Sequence, residues 1–199
     1  MPLRNRVTPL GEIVATPHRG TLMGNRGVIH DDGGAIVRYW QVRRWIACRL
    51  EFKGRHRELL QPRRWTELFF LDEATAIAAG HRPCAECRRD DYRRWQAAWE
   101  AAGLEPANAD AMDVRLHADR TGGVRERRTV DSLPSGTMVL EAGVAWLVLG
   151  GALMRWDHAG YGDARAPGRA PAEVLTPAAS VAVLAAGYEV RLHPSASHP

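Results

Sequence analysis

The chain has 199 residues, 45% of them hydrophobic and 25% charged, with a formal net charge of +4, which fits one compact domain or two small ones with a real core. No apolar run approaches the roughly 18 residues a membrane-spanning helix needs, and the opening MPLRNRVTPLGEIV has no apolar leader stretch, so a cytoplasmic protein is the expectation. Three cysteines cannot all pair, which favours thiols or metal ligands over a disulfide framework.

In chain order, 11–16 reads as a short strand and 19–27, RGTLMGNRG, as a glycine-punctuated loop. That loop lacks the Gly-Lys-Ser/Thr ending of a phosphate-cradling motif. His30 to Gly34 reads as a hairpin turn between strands at 27–29 and 35–40. Residues 45–52, WIACRLEF, alternate as a half-buried strand does, with Trp45 and Ala47 on one face and Ile46, Cys48, Leu50 and Phe52 on the other.

A second apolar strand at 67–71 leads to Asp72, placed to cap a helix at 73–79 that Gly80 ends. His81-Arg82-Pro83 is a stiff connector. A helix at 85–102 sets Tyr92, Trp95, Ala98 and Trp99 on one side, and Asn108 caps a third helix reaching His117. Residues 121–128 read as a linker. Strands follow at 137–141, 145–149 and 153–156, then a Gly/Pro-rich loop at 158–171. A short strand ends at Leu175, Thr176-Pro177 opens a helix that Gly187 stops, and 188–192 is a closing strand. The pattern predicts an α+β protein. Residues 1–120 form a small strand-plus-helix zinc-knuckle module with a basic hairpin, and 121–199 a small β-rich module with one helix.

Charge is unevenly spread. Residues 1–94 carry 18 basic and 11 acidic side chains, and residues 95–199 carry 9 and 12. Within 38–64 nine basic residues face two acidic ones. Guanidinium groups match phosphate geometry, so the stripe suits a nucleic acid, DNA or RNA. The competing reading is an ordinary solvated surface in an Arg-rich chain. Trp40, Trp45 and Trp65 interleave with the stripe, either to stack bases or to seal a small core.

Cys84-Ala85-Glu86-Cys87 is a C-x2-C knuckle at the start of a helix, where two thiolates can share an ion. With Cys48 upstream it gives three soft ligands, one short of a closed tetrahedral zinc site. His30, His56, His81 and His117 are the candidates for the fourth, with His30 preferred because its turn lies near the Cys48 strand. Asp113, His117 and Asp119, and Asp157, His158 and Tyr161, read as ordinary polar groups without a nucleophile spacing.

The stretch 69–88, FFLDEATAIAAGHRPCAECR, resembles the second half of the zinc-binding domain of Ada-type DNA-repair proteins. Ala79-Gly80-His81-Arg82-Pro83-Cys84 and Cys87 match that pattern, except that His81 stands where the family packs an aromatic ring, and Cys48-Arg49 resembles its first Cys-Arg pair. The likeness spans roughly 38–90. It implies metal binding and nucleic-acid affinity. The repair reaction is not carried over, since Phe52, four residues after Cys48, cannot ligate and the family's Pro-Cys-His-Arg nucleophile motif is absent; a DNA-repair link through methyl transfer survives if Cys48 matches the family's transferring cysteine and is gone if it matches the other ligand.

These readings combine into a Zn2+ protein with a structural site at Cys48, Cys84, Cys87 and His30, supporting a surface for DNA or RNA. The proposed phosphate contacts are Arg43, Arg44, Arg55, Arg57, Arg63, Arg64, Arg88 and Arg89. The alternative is a metal-dependent enzyme, a hydrolase, nuclease or methyl acceptor working at the cysteine-bound metal. A protein-interaction adaptor is the third class.

Overall fold

In the computed structural model, which describes residues 1–54 and 58–196, a six-residue helix buried along its whole length sits between two sheets. The first sheet comes from β1 (Arg4–Val7), β2 (Ile13–Ala15), β3 (Leu22–Asn25), β4 (Ile46–Cys48), β5 (Leu68–Phe70) and β6 (Arg82–Pro83). Its order is β2-β1-β5-β3-β4-β6. The β1–β5 and β4–β6 pairs are parallel and the others antiparallel. Helix α1 (Glu73–Ala78) follows β5, and α2 (Arg89–Ala101) and α3 (Ala109–Thr121) follow β6.

The second sheet contains β7 (Arg127–Arg128), β8 (Met138–Glu141), β9 (Val144–Leu149), β10 (Ala152–Asp157), β11 (Gly160–Arg165) and β12 (Ala172–Val174). It is antiparallel throughout, in the order β11-β10-β9-β8-β12-β7. Helix α4 (Ala178–Ala185) comes last. Among the described residues, four α-helices and two six-stranded sheets make the protein α+β with a β-rich part.

The sequence of α1, EATAIA, explains its position. Ala76, with Ala79 just beyond the helix, packs into the core of the first sheet, which contains Val7, Leu68 and Phe70. Ala74 and Ala78 pack into the core of the second sheet, with Met138, Leu147 and Tyr161. Ile77 joins Trp95, Trp99 and Met112 from α2 and α3 and Ala179 and Val183 from α4. A helix buried on every side must be thin, and alanine gives close approach without side-chain entropy loss. Asp72 caps it as expected, accepting from the Thr75 backbone N–H at 2.9 Å. Asn108 likewise caps α3 through Ala111 N–H. The Ile77 cluster joins residues on both sides of the 120/121 boundary expected from the sequence.

Several expected elements differ. The glycine-rich 19–27 stretch contains the strand β3. Gly24 is required there because a Cβ would stand 2.2 Å from the Ile46 carbonyl oxygen of β4, so this glycine permits close pairing and does not mark a loop. Gly160 begins β11 inside the segment read as a Gly/Pro loop. Helix α2 starts at Arg89, after the knuckle turn, and α3 continues to Thr121, taking up the start of the expected linker. The alternating stretch 45–52 keeps strand geometry only at β4, and Lys53 turns the chain with φ 54°. Residues 35–40 form no strand beyond a single His30–Ile36 bridge, and 188–192 are irregular.

Among the described residues, no helix is long and apolar enough to cross a membrane.

Candidate metal centre and basic cleft

Parallel pairing of β4 with β6 creates the site. Ile46 registers with Arg82 and Ala47 with Pro83, and the Cys84 backbone N–H donates to the Ala47 carbonyl at 3.0 Å. The pairing carries both strands forward together, so Cys48 and Cys84 emerge side by side at their ends. The knuckle then turns back, with the Arg88 N–H donating to the Cys84 carbonyl at 3.1 Å, and brings Cys87 round. The three sulfurs lie within 4.8 Å of one another, a group that could hold a metal ion.

Backbone N–H groups donate to two of the three sulfurs. The Arg49 N–H donates to Cys87 Sγ at 3.4 Å, and the Glu86 and Cys87 N–H groups point at the Cys84 sulfur. Hydrogen bonds from Cys48 and Cys87, helped by those amides, hold the Cys84 thiol far below its ordinary range. Hydrogen bonding to Cys84 and Cys87, with burial, pushes the Cys48 thiol far up. Three thiols therefore share protons poorly, and a cation shared among thiolates relieves that crowding.

Two buried arginines lock the knuckle from either side through three ion pairs. Arg82, just before Pro83-Cys84, meets Asp113 of α3 through two bonds, Nε to Oδ1 at 2.9 Å and Nη2 to Oδ2 at 2.8 Å. Arg88, just after Cys87, meets Glu73 of α1 at 2.6 Å and Asp91 of α2 at 2.9 Å. Glu73 also accepts from Tyr188 Oη at 2.7 Å and the Arg191 N–H at 2.9 Å. Buried, multiply bonded charges of this kind fix geometry more than they add net stability.

His81 takes the aromatic position of the resembled pattern. Its ring is wholly buried, 4.6 Å from Phe70 and 5.2 Å from Trp45 by ring centroids. Burial, then the Arg26 and Arg120 charges, holds its pKa well below the usual imidazole value. Trp45 itself carries the Arg26 guanidinium at 4.1 Å and that of Arg120 at 3.8 Å from its ring centroid. Burial lowers Arg26 to about 10, and burial together with Arg26 lowers Arg120 to about 9. This packing supports the strand that carries Cys48 from its inner face.

The outer face is a cleft of about 1460 Å³. Ile46, Cys48, Leu50 and Phe52 line it, together with Cys84 and Cys87. Ile46 and Cys48 share the outer face of β4 as the alternation predicts, while Trp45 and Ala47 are buried in the core; beyond Cys48 the strand ends, and the residues from Arg49 to Lys53 line the cleft without alternation. Of the expected phosphate contacts, Arg44, Arg63 and Arg64 line the cleft. Arg43 and Arg89 are exposed elsewhere. Arg88 is corrected: 1% exposed and held by two carboxylates, it has no surface to offer a phosphate. Arg55 and Arg57 lie outside the described residues.

Four further basic residues line the cleft, Arg6, Arg19, Arg49 and Lys53. Arg6 is brought in by the parallel β1–β5 pairing, which registers it with Phe69, and Arg19 lies in the connection between β2 and β3. Arg49 and Lys53 belong to the basic stripe at 38–64, whereas Arg6 and Arg19 lie far from it in the chain.

His30 is not part of the sulfur group. Its Nδ1 lies 2.6 Å from Thr66 Oγ1 and its Nε2 3.2 Å from the Gln61 carbonyl oxygen, so both ring nitrogens brace the loop before β5. His81 is in the core and His117 packs on Trp40 at 4.5 Å. His56 lies outside the described residues. Among the described residues, the group contains Cys48, Cys84 and Cys87 alone. Asp113 serves Arg82, Asp119 accepts from the Ala179 N–H at 2.8 Å at the start of α4, and Tyr161 donates to Asp72 at 2.9 Å. Asp113, Asp119 and Tyr161 thus each take part in hydrogen bonds that join separate elements.

With this geometry in hand, neither a family model, a curated protein nor a solved structure matches the chain.

Proposed function

We propose that the protein binds nucleic acid in the basic cleft and that a zinc ion at Cys48, Cys84 and Cys87 braces one wall of it. One observation carries the reading: the sulfur group and seven basic side chains, besides the ion-paired Arg82, line the same cleft. All-thiolate donors suit zinc among common cellular ions. Ligands about 2.3 Å from a tetrahedral ion stand about 3.8 Å apart, within the 4.8 Å spread of these sulfurs. Cys48, Cys84 and Cys87 would hold the ion, and it would clamp β4 to the knuckle. The likeness of 79–87 to Ada-type zinc domains supports the same reading.

The test is binding of a labelled oligonucleotide as salt is raised. Contacts to about five phosphates give a log–log slope of roughly −3.5 for a single strand and −4.5 for a duplex. A salt-independent affinity, or none, overturns the reading.

A second reading, a metal-dependent enzyme, is favoured by the three-donor group on a cleft wall, since catalytic zinc keeps three protein ligands and an open position. Cobalt substitution separates the two. An open position shifts the visible bands when imidazole is added, whereas a shell closed by a fourth protein ligand leaves them unchanged.

A further inference from the structure

The cleft has a second chemical character that its charge does not explain. Three half-buried aromatic rings line it, Phe52, Trp65 and Phe69. Each has basic residues close by: the Arg6 guanidinium lies 4.7 Å from the Phe69 ring centroid, Lys53 Nζ lies 5.1 Å from that of Phe52, and Trp65 follows Arg63-Arg64 in the chain. The rings come from three separate segments: the loop after β4, the loop before β5, and β5 itself. Leu50 and Leu59, 45% and 40% exposed, add apolar surface to the same cleft.

Resting on the reading of this cleft as a nucleic-acid surface, we propose that its ligand is single-stranded DNA or RNA, with bases unstacked against Phe52, Trp65 and Phe69 and phosphates on the neighbouring arginines. A duplex keeps its bases stacked inside and presents sugar and phosphate outward, so it makes no use of rings recessed in a concavity. An unpaired strand offers ring faces that stack on aromatic side chains and guanidinium planes alike. Groove reading of a duplex needs a projecting helix or ribbon. The only described helical residues lining the cleft are Ala109 and Asp110, at the first turn of α3.

The experiment measures affinity of the full chain for oligothymidylate and oligouridylate of about 15 nucleotides, the upper range of site sizes for one strand-binding module, and for a duplex of equal length at matched salt. The single strands are expected to bind at least tenfold more tightly. Trp65→Ala is expected to weaken strand binding by about 5- to 150-fold, the loss of one stacked base, with duplex binding little changed. Phe52→Leu, which keeps apolar volume, is expected to lower strand affinity in the same direction and guards against a folding defect in the tryptophan variant. Arg63→Ala with Arg64→Ala weakens both ligands and flattens the salt slope. Duplex binding as tight as strand binding, or unaltered strand affinity in both folded ring variants, overturns this inference while leaving nucleic-acid binding intact. Binding of neither ligand overturns both.

Discussion

At the scale of single residues, charges beside the knuckle matter as much as the sulfurs. Asp113 and Arg82 form a buried pair on α3 and β6, and removing one partner leaves the other uncompensated. Asp113→Ala is expected to cost about 3–5 kcal/mol, read by denaturant unfolding, and to weaken metal retention because Cys84 follows Arg82 by two residues. Little change in either would show that the pair does not hold the knuckle.

Tyr188 gives a pH signature. Burial, then the Glu73 charge, raises its pKa far above the ordinary phenol value of 10.0. Below pH 10 it is neutral in both folded and unfolded chains, so its contribution is fully present. Above pH 10 the unfolded phenol ionises while the folded one holds its proton, and stability falls as pH rises. The advantage of the wild type over Tyr188→Phe should therefore shrink between pH 10 and higher values in paired unfolding curves. A constant difference would contradict the buried Glu73 contact.

The same residues show what the chain order reveals. C-x2-C is a local spacing, so the Cys84 and Cys87 pair is legible directly, and the alternation of 45–52 correctly turns Trp45 and Ala47 to the core, although it ends with β4 at Cys48. The fate of His30 is not legible, because it depends on Thr66 and Gln61, more than thirty residues away. Arg88 reads as surface in any composition argument. Its burial needs carboxylates from two different helices to converge, a fact of tertiary packing.

At the scale of elements, close approach decides the outcome. Gly24→Ala would bring a methyl within 2.2 Å of the Ile46 carbonyl, forcing β4, and with it Cys48, away from β3. A loss of about 2–3 kcal/mol, at the high end for point changes, and lower zinc affinity are expected from unfolding and competition titrations. Unchanged values would mean that β4 is not held at this distance. Helix α1 makes the same point: Ala76→Leu inserts bulk between it and the first sheet, and overpacking of this kind costs about 1–3 kcal/mol. The alanine-rich pattern identifies α1 as a helix but not as the centre of the molecule, because its amphipathic signal vanishes when every face is buried. Glycine misleads in the other direction at β3 and β11, where it allows pairing instead of marking a turn.

At the scale of the whole molecule, the two sheets and the other three α-helices of the described residues meet on α1, and the cleft spreads over the outer face of the first sheet, with the sulfur group where β4 and β6 end. Metal bound there would stabilise the folded chain by mass action, about 2.7 kcal/mol at a hundredfold excess over Kd. Its effect on exchange protection should be greatest at β4 and β6 and least in the second sheet. The most direct test of the account is the zinc content of the folded wild-type chain beside folded Cys48→Ser and Cys84→Ser. Three sulfurs sharing one ion predict about one zinc per wild-type chain and its loss from both variants. Full stoichiometric zinc in either folded variant would contradict the shared site.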